Sequence, residues 1–186
     1  MTLTDLKNRL AAHPVIAAVR EDGMREALAS PAAAVFCLRA NLLTVGEWCR
    51  AAKGADKALF VHLDLADGVG RDRTGIAYLA RQGVDGIIST RNQLVKAAHD
   101  EGLVTVQRFF ALDSQGVEAM AETLAQTSPD FVEIMPGVAC KIIGRFAGGR
   151  TPVIAGGLLE TPDEARAALD AGAVAVSTGC RALWKL

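Results

Sequence analysis

Eight short apolar runs recur along the chain, centred on residues 15–19, 34–38, 58–64, 85–89, 103–108, 131–135, 152–155 and 173–177, each separated from the next by a stretch with helical spacing. Few architectures accept so regular an alternation. Strict strand–helix repetition implies a parallel sheet with helices packed against it. Runs such as Gly86-Ile87-Ile88-Ser89 and Ala173-Val174-Ala175-Val176 are apolar at successive positions, as expected for strands covered on both faces. Between strands, Val117, Met120, Ala121, Leu124 and Ala125 place an apolar stripe on one helix face. Eight units predict a closed (β/α)₈ barrel of parallel strands in preference to an open doubly wound sheet. At 186 residues each unit has about 23, so the barrel is small for a fold of roughly 200 to 250 residues and has no room for large insertions. We expect one domain over residues 1–186.

Element boundaries are legible from local chemistry. Thr2 or Thr4 is positioned to cap a first helix. The pairs Thr44 with Glu47, Thr90 with Gln93 and Thr161 with Glu164 fit the capping box, in which a hydroxyl and a later side chain satisfy two orphan N–H groups. Pro162 adds a favoured first-turn residue. Gly54, Gly83, Gly102 and Gly172 each follow a helical pattern, where a left-handed C-terminal cap is expected.

In such a barrel the chemistry gathers where strands end, and phosphate is commonly held by the loops after strands seven and eight. The seventh run stops at Gly156-Gly157 and the eighth at Ser177-Thr178-Gly179. Glycine leaves backbone N–H groups open to an anion, and the hydroxyls are further donors, so the two ends read as one phosphate site. The same glycines would also serve a plain strand-to-helix turn. Other strand ends carry Arg20, His62 with Asp64, Ser89-Thr90-Arg91, Gln107-Arg108 and Glu133. Asp64 and Glu133 fall in apolar runs, where an ionised carboxylate needs a partner such as Arg20, Arg108 or a ligand hydroxyl; a structural ion pair would satisfy the same need. His62 has a side chain suited to general-base work near neutrality, or is a packed core histidine satisfied by hydrogen bonds.

Composition excludes several classes. With 20 Lys and Arg against 21 Asp and Glu the net charge is −1, so no global positive field attracts a polyanion. The N-terminal stretch has no long uncharged apolar run and no segment approaches a membrane span, which reads as a cytoplasmic protein. Cys37, Cys49, Cys140 and Cys180 form no C-x-x-C pair and read as free thiols. Metalloprotease, nucleophile-elbow and P-loop motifs are absent, and no lysine falls within a strand interior; Lys141 follows the sixth strand, on a helix. No metal and no cofactor is called for.

Six strings in order carry a resemblance: Val61-His62-Leu63-Asp64-Leu65, Asp85-Gly86-Ile87-Ile88-Ser89-Thr90, Gln107-Arg108-Phe109-Phe110, Val132-Glu133-Ile134-Met135-Pro136-Gly137, Ile154-Ala155-Gly156-Gly157, and Ala175-Val176-Ser177-Thr178 followed by Leu183-Trp184. Together they resemble the glycerol-3-phosphate-responsive antiterminators of bacterial glycerol uptake operons, over about Pro14 to Trp184. The resemblance implies a barrel that binds glycerol 3-phosphate as effector and acts on the leader mRNA of a glycerol-utilisation operon, preventing premature termination. It implies phosphate on Gly156, Gly157, Ser177 and Thr178, glycerol hydroxyls near Asp64 and Glu133, and Arg20 and Arg108 as supporting charges. This chain has Ala40 where the family usually has glycine, and Gly179-Cys180 where small polar residues are common. The expected partners are glycerol 3-phosphate and leader mRNA, with no membrane and with a homo-oligomer left open. Two alternatives stand beside this reading: a small barrel enzyme acting on a phosphorylated three-carbon substrate with Asp64 or Glu133 as acid or base, and an effector-binding protein that works through a protein partner.

Overall fold

A computed structural model describes residues 1–186. Eight parallel strands close into a barrel in sequence order: β1 (Val15–Val19), β2 (Ala34–Cys37), β3 (Ala58–His62), β4 (Gly86–Ser89), β5 (Val104–Phe110), β6 (Phe131–Met135), β7 (Val153–Gly156) and β8 (Ala175–Thr178). Closure is made by β8 against β1, with Val15 opposite Val176, Ile16 opposite Ser177 and Ala17 opposite Thr178. The connecting helices are α2 (Met24–Ala29), α3 (Val45–Gly54), α4 (Arg73–Gln82), α5 (Asn92–Asp100), α6 (Ser114–Thr127), α7 (Cys140–Phe146) and α8 (Pro162–Asp170); α1 (Leu3–Ala12) precedes the first strand, and a 3₁₀ turn over Arg181–Lys185 follows the last. No helix is long and apolar enough to cross a membrane.

Two apolar layers hold the fold. The larger lies between strands and helices and includes Val35, Val61, Ile87, Val132 and Val176 from the outward faces of the strands. The smaller fills the barrel itself with Ile16, Phe36, Phe60, Ile88, Val106, Phe131 and Ile154. Leu6 and Leu10 of α1 join this inner cluster, so α1 plugs the N-terminal end of the barrel. Phe36 and Phe60 pack with tilted rings 5.2 Å apart, a favourable aromatic geometry. Gly86 makes room for them: a Cβ there would overlap the Phe60 ring and lie 2.6 Å from the Val104 carbonyl oxygen.

The cap chemistry divides. Thr2 with Asp5 and Thr161 with Glu164 form complete capping boxes. Thr44 and Thr90 do not. The Thr44 hydroxyl donates to Glu21 Oε1 at 2.6 Å, and α3 starts without a side-chain cap. Thr90 turns its N–H and hydroxyl to Asp64, and the N-cap of α5 falls one residue later, on Arg91, without a side-chain bond. In both places a carboxylate from a neighbouring loop offers a charge-assisted bond, which is stronger than a neutral cap. Gly83, Gly102 and Gly172 are left-handed as expected; after α3 it is Asp56, not Gly54, that takes positive φ. The third strand stops at His62, and Asp64 lies in a 3₁₀ turn (Leu63–Leu65) rather than in the strand.

Because Gly86 stands against an aromatic ring and a backbone oxygen, Gly86→Ala is expected to destabilise the protein by about 1–3 kcal/mol through overpacking, read as a lower urea midpoint with an unchanged slope.

Candidate functional site

Strand alternation lifts a polar layer onto the apolar filling of the barrel. Phe60, Val106, Phe131 and Ala175 belong to the inner cluster. Two residues further along the same strands stand His62, Arg108, Glu133 and Ser177, which therefore also face inward, at the C-terminal mouth. Glu133 is fully buried. Its two oxygens are each taken: Arg108 Nε donates to Oε2 at 2.6 Å and Ser177 Oγ donates to Oε1 at 2.5 Å. The carboxylate thus ties β5, β6 and β8 together. Gly156 permits the contact, since a Cβ at that position would collide with Glu133 Oε1 and lie 2.9 Å from Ser177 Oγ.

Above this layer opens a cavity of about 640 Å³, with Arg108, Glu133, Gly157, Leu158, Ser177 and Gly179 among its walls. The ends of β7 and β8 meet here, with Gly156 paired to Ser177 across the ladder. Gly157 and Leu158 are successive left-handed residues, with φ of 76° and 58°. Glycine adopts that conformation freely, whereas leucine does so at a cost. The N–H groups of Gly157, Leu158 and Gly179 donate to no acceptor within the chain. Unpaired main-chain N–H groups on residues that line a cavity are suited to an anion.

The hydroxyls behave differently from expectation. Ser177 spends its one proton on Glu133. Thr178 Oγ1 donates to the Leu159 carbonyl at 2.7 Å and accepts from Cys180 N at 3.0 Å. In this conformation neither is a free donor, and the main chain carries that capacity instead. Gly157, Ser177, Thr178, Arg108 and Glu133 share the cavity; Gly156 lies beneath it, packed on Glu133.

Asp64 and Arg20 stand outside the cavity walls. The Asp64 carboxylate accepts from Ser89 Oγ at 3.0 Å, Thr90 N at 2.8 Å and Thr90 Oγ1 at 3.2 Å, with Arg91 Nε at 3.4 Å. It fixes the loop after β4. Arg20 is exposed at the start of a 3₁₀ turn over Glu21–Gly23. Leu158 and Glu160 line the cavity unforeseen, because neither residue type signals a site in sequence. All four cysteines are free; Cys37 and Cys49 are buried, and burial pushes the Cys37 thiol up to about 12.

His62 is buried, at 5% exposure, yet neither ring nitrogen has a hydrogen-bond partner. Nε2 lies 3.6 Å from Asp64 Oδ2, too far for a hydrogen bond. Burial above all, and then the Arg108 cation, push its pKa from 6.5 down to about 4, against the opposing pull of Asp64, Glu133 and a weak contact with the Leu38 main chain. The ring is neutral at physiological pH. Of the two expected roles, packed core residue and general base, the first describes the burial but not the hydrogen bonding.

Residues 15–184 match the model of the glycerol-3-phosphate responsive antiterminator family. The chain belongs to that family. A curated relative from Escherichia coli, Uncharacterized protein YgcP, is 36% identical over 184 residues, covering 97% of this chain and 96% of the relative. The crystal structure of a glycerol uptake operon antiterminator-related protein from Thermotoga maritima superposes with a TM-score of 0.83 at 36% identity, over 92% of this chain and 98% of that one. The glycerol uptake operon antiterminator regulatory protein of Listeria monocytogenes gives 0.85 at 28% identity, over 91% and 94%. Antiterminators of this family therefore share the barrel and, in this member, place a buried ion pair under a mouth rimmed by open N–H groups.

Two outcomes follow for this chain. Arg108→Met and Glu133→Leu, each leaving one buried charge without its partner, are expected to destabilise by about 3–5 kcal/mol singly. The double variant should cost clearly less than their sum in urea unfolding, the mark of a coupled pair. Separately, between pH 6.5 and about 4 the unfolded chain protonates His62 while the folded chain does not. Acidification through that window therefore favours unfolding, by at most about 3 kcal/mol. The slope of the urea midpoint against pH is expected to flatten in His62→Leu.

Proposed function

We propose that the chain is a glycerol-3-phosphate-responsive transcription antiterminator that binds the leader mRNA of a glycerol-utilisation operon, with the effector seated in the mouth at the ends of β7 and β8. The observation that carries the reading is the set of unpaired N–H groups at Gly157, Leu158 and Gly179, three residues that line one cavity in a member of this family. A phosphate accepts such bonds on several oxygens at once. Main-chain donors matter here because the walls carry a single cation, Arg108, against Glu133 and Glu160. Glu133 lies where a polyol hydroxyl would approach, with Ser177 and Thr178 shaping the floor. Asp64 acts by holding the loop after β4, and Gly156 by admitting Glu133 to the barrel.

The same end of the barrel supports RNA contact. Phe110, the last residue of β5, and Leu112 just after it are 52% and 83% exposed. Arg20, Arg71 and Arg91 are exposed on the loops after β1, β3 and β4. Unpaired RNA bases stack on aromatic rings and guanidinium planes, so a near-neutral protein binds a leader through a local surface of this kind. The two surfaces meet at β5, which carries Arg108 in the mouth and Phe110 at its exposed end, so effector and RNA bear on the same strand. Regulation demands reciprocity: RNA must tighten effector binding by the factor by which effector tightens RNA binding, commonly 5- to 150-fold.

Calorimetry of glycerol 3-phosphate binding, with and without leader RNA, tests this. Saturable binding without conversion, tightened by RNA within that range, is the expected result, and Gly157→Asp should abolish it by placing a carboxylate at the phosphate. Turnover of the ligand would establish the enzyme alternative. Equal affinity with and without RNA would refute gating.

A further inference from the structure

We propose that His62 recognises the hydroxyl-bearing end of the effector, making it the specificity-determining residue of the mouth. The inference rests on the proposed effector site and deepens it.

Within the inward polar layer Glu133, Ser177 and Arg108 Nε are engaged with one another, which leaves the terminal guanidinium nitrogens of Arg108, itself in the cavity wall, and the ring of His62. Arg108 and Ser177 are both bonded to Glu133, and Glu133 has used both oxygens. Beside the layer, Asp64 is saturated by Ser89 and Thr90. Of the two groups left, only His62 has no full hydrogen bond: its ring lies just beneath the cavity wall, beside the Leu38 main chain, with both nitrogens buried. Buried polar atoms in native proteins are nearly always satisfied, so an orphan of this kind marks a place where something else completes the bonds.

The other orphans are elsewhere. Gln107 neighbours the inward Arg108 and so faces the helices, where its amide nitrogen donates to Asn92. Trp48 lies on α3. Only His62 has its unmet bonds within the barrel interior.

Chemistry selects the uncharged end of the ligand. A neutral imidazole offers one N–H donor and one nitrogen acceptor, and an alcohol is likewise donor and acceptor, so the two match. A phosphate, which only accepts when ionised, would leave the acceptor nitrogen unmet and is better served by the N–H groups of the opposite rim. The barrel order places these contacts apart: β3, which carries His62, is four strands from β7 and therefore across the mouth from Gly157. A three-carbon phosphate anchored at β7 and β8 directs its hydroxyls away from that anchor, over Arg108 and Glu133, toward the side of the mouth where His62 stands just beneath the wall, and a turn of the buried ring completes the contact.

The test pairs a ligand change with a protein change. Glycerol 3-phosphate and its 2-deoxy analogue, propane-1,3-diol monophosphate, are titrated calorimetrically into the wild type, His62→Leu and His62→Phe. The wild type is expected to prefer the hydroxylated ligand. Both apolar variants should lose about tenfold of that preference, the equivalent of one hydrogen bond, and His62→Gln should restore part of it. A purely structural histidine would change both affinities together and leave their ratio intact. An unchanged ratio in either apolar variant that folds therefore overturns the inference. Failure of the wild type to bind glycerol 3-phosphate at all would instead refute the effector site itself.

Discussion

A carboxylate shut away from water must be neutralised where it stands, and the C-terminal half of this barrel is arranged around that requirement at Glu133. Burying an ion costs several kcal/mol unless geometry and hydrogen bonds compensate. Arg108 supplies the counter-charge from one neighbouring strand and Ser177 a hydroxyl from beyond the other. Gly156, lying between, has to lack a side chain for the contact to form. Four strands are thus tied into one polar cluster at the height where the apolar filling ends. The cluster forms the floor of the mouth, and its rigidity sets where anything above it can bind.

That arrangement changes what the strand ends offer. Hydroxyls which would read as anion donors are consumed in holding the floor and the adjacent loop. What is left open is main chain: the left-handed pair Gly157-Leu158 and the glycine after Thr178. Backbone donors are held by the closed ladder beneath them and lose little freedom on binding, which makes them well suited to a compact anion. The exposed Leu158 in an unfavourable conformation belongs to the same economy, since local strain tends to persist at positions where a loop is shaped for a ligand.

Much of the barrel was legible because its signals are local. Strand runs, the cap at Thr2, the box at Thr161, and the left-handed glycines at positions 83, 102 and 172 each depend on a few neighbouring residues, and each appears where sequence places it. Thr44 and Thr90 failed as caps for a reason no local window contains: Glu21 and Asp64 arrive from other loops and compete for their hydroxyls. At the site, Gly157, Ser177, Thr178, Arg108 and Glu133 do converge. Asp64 and Arg20 do not, because the turn after His62 carries Asp64 over to the loop after β4 and Arg20 projects from the surface.

Sequence alone determined the alternation, the eight-stranded closure and the family, since periodicity, capping chemistry and a long ordered set of strings are properties of the chain read in one dimension. Tertiary structure decided which polar groups remain free. A hydroxyl, a carboxylate or an imidazole has the same potential wherever it is written, and only the packing of β3, β5, β6 and β8 around one interior determines that Ser177 is spent, Glu133 is paired and His62 is left with both nitrogens unmet.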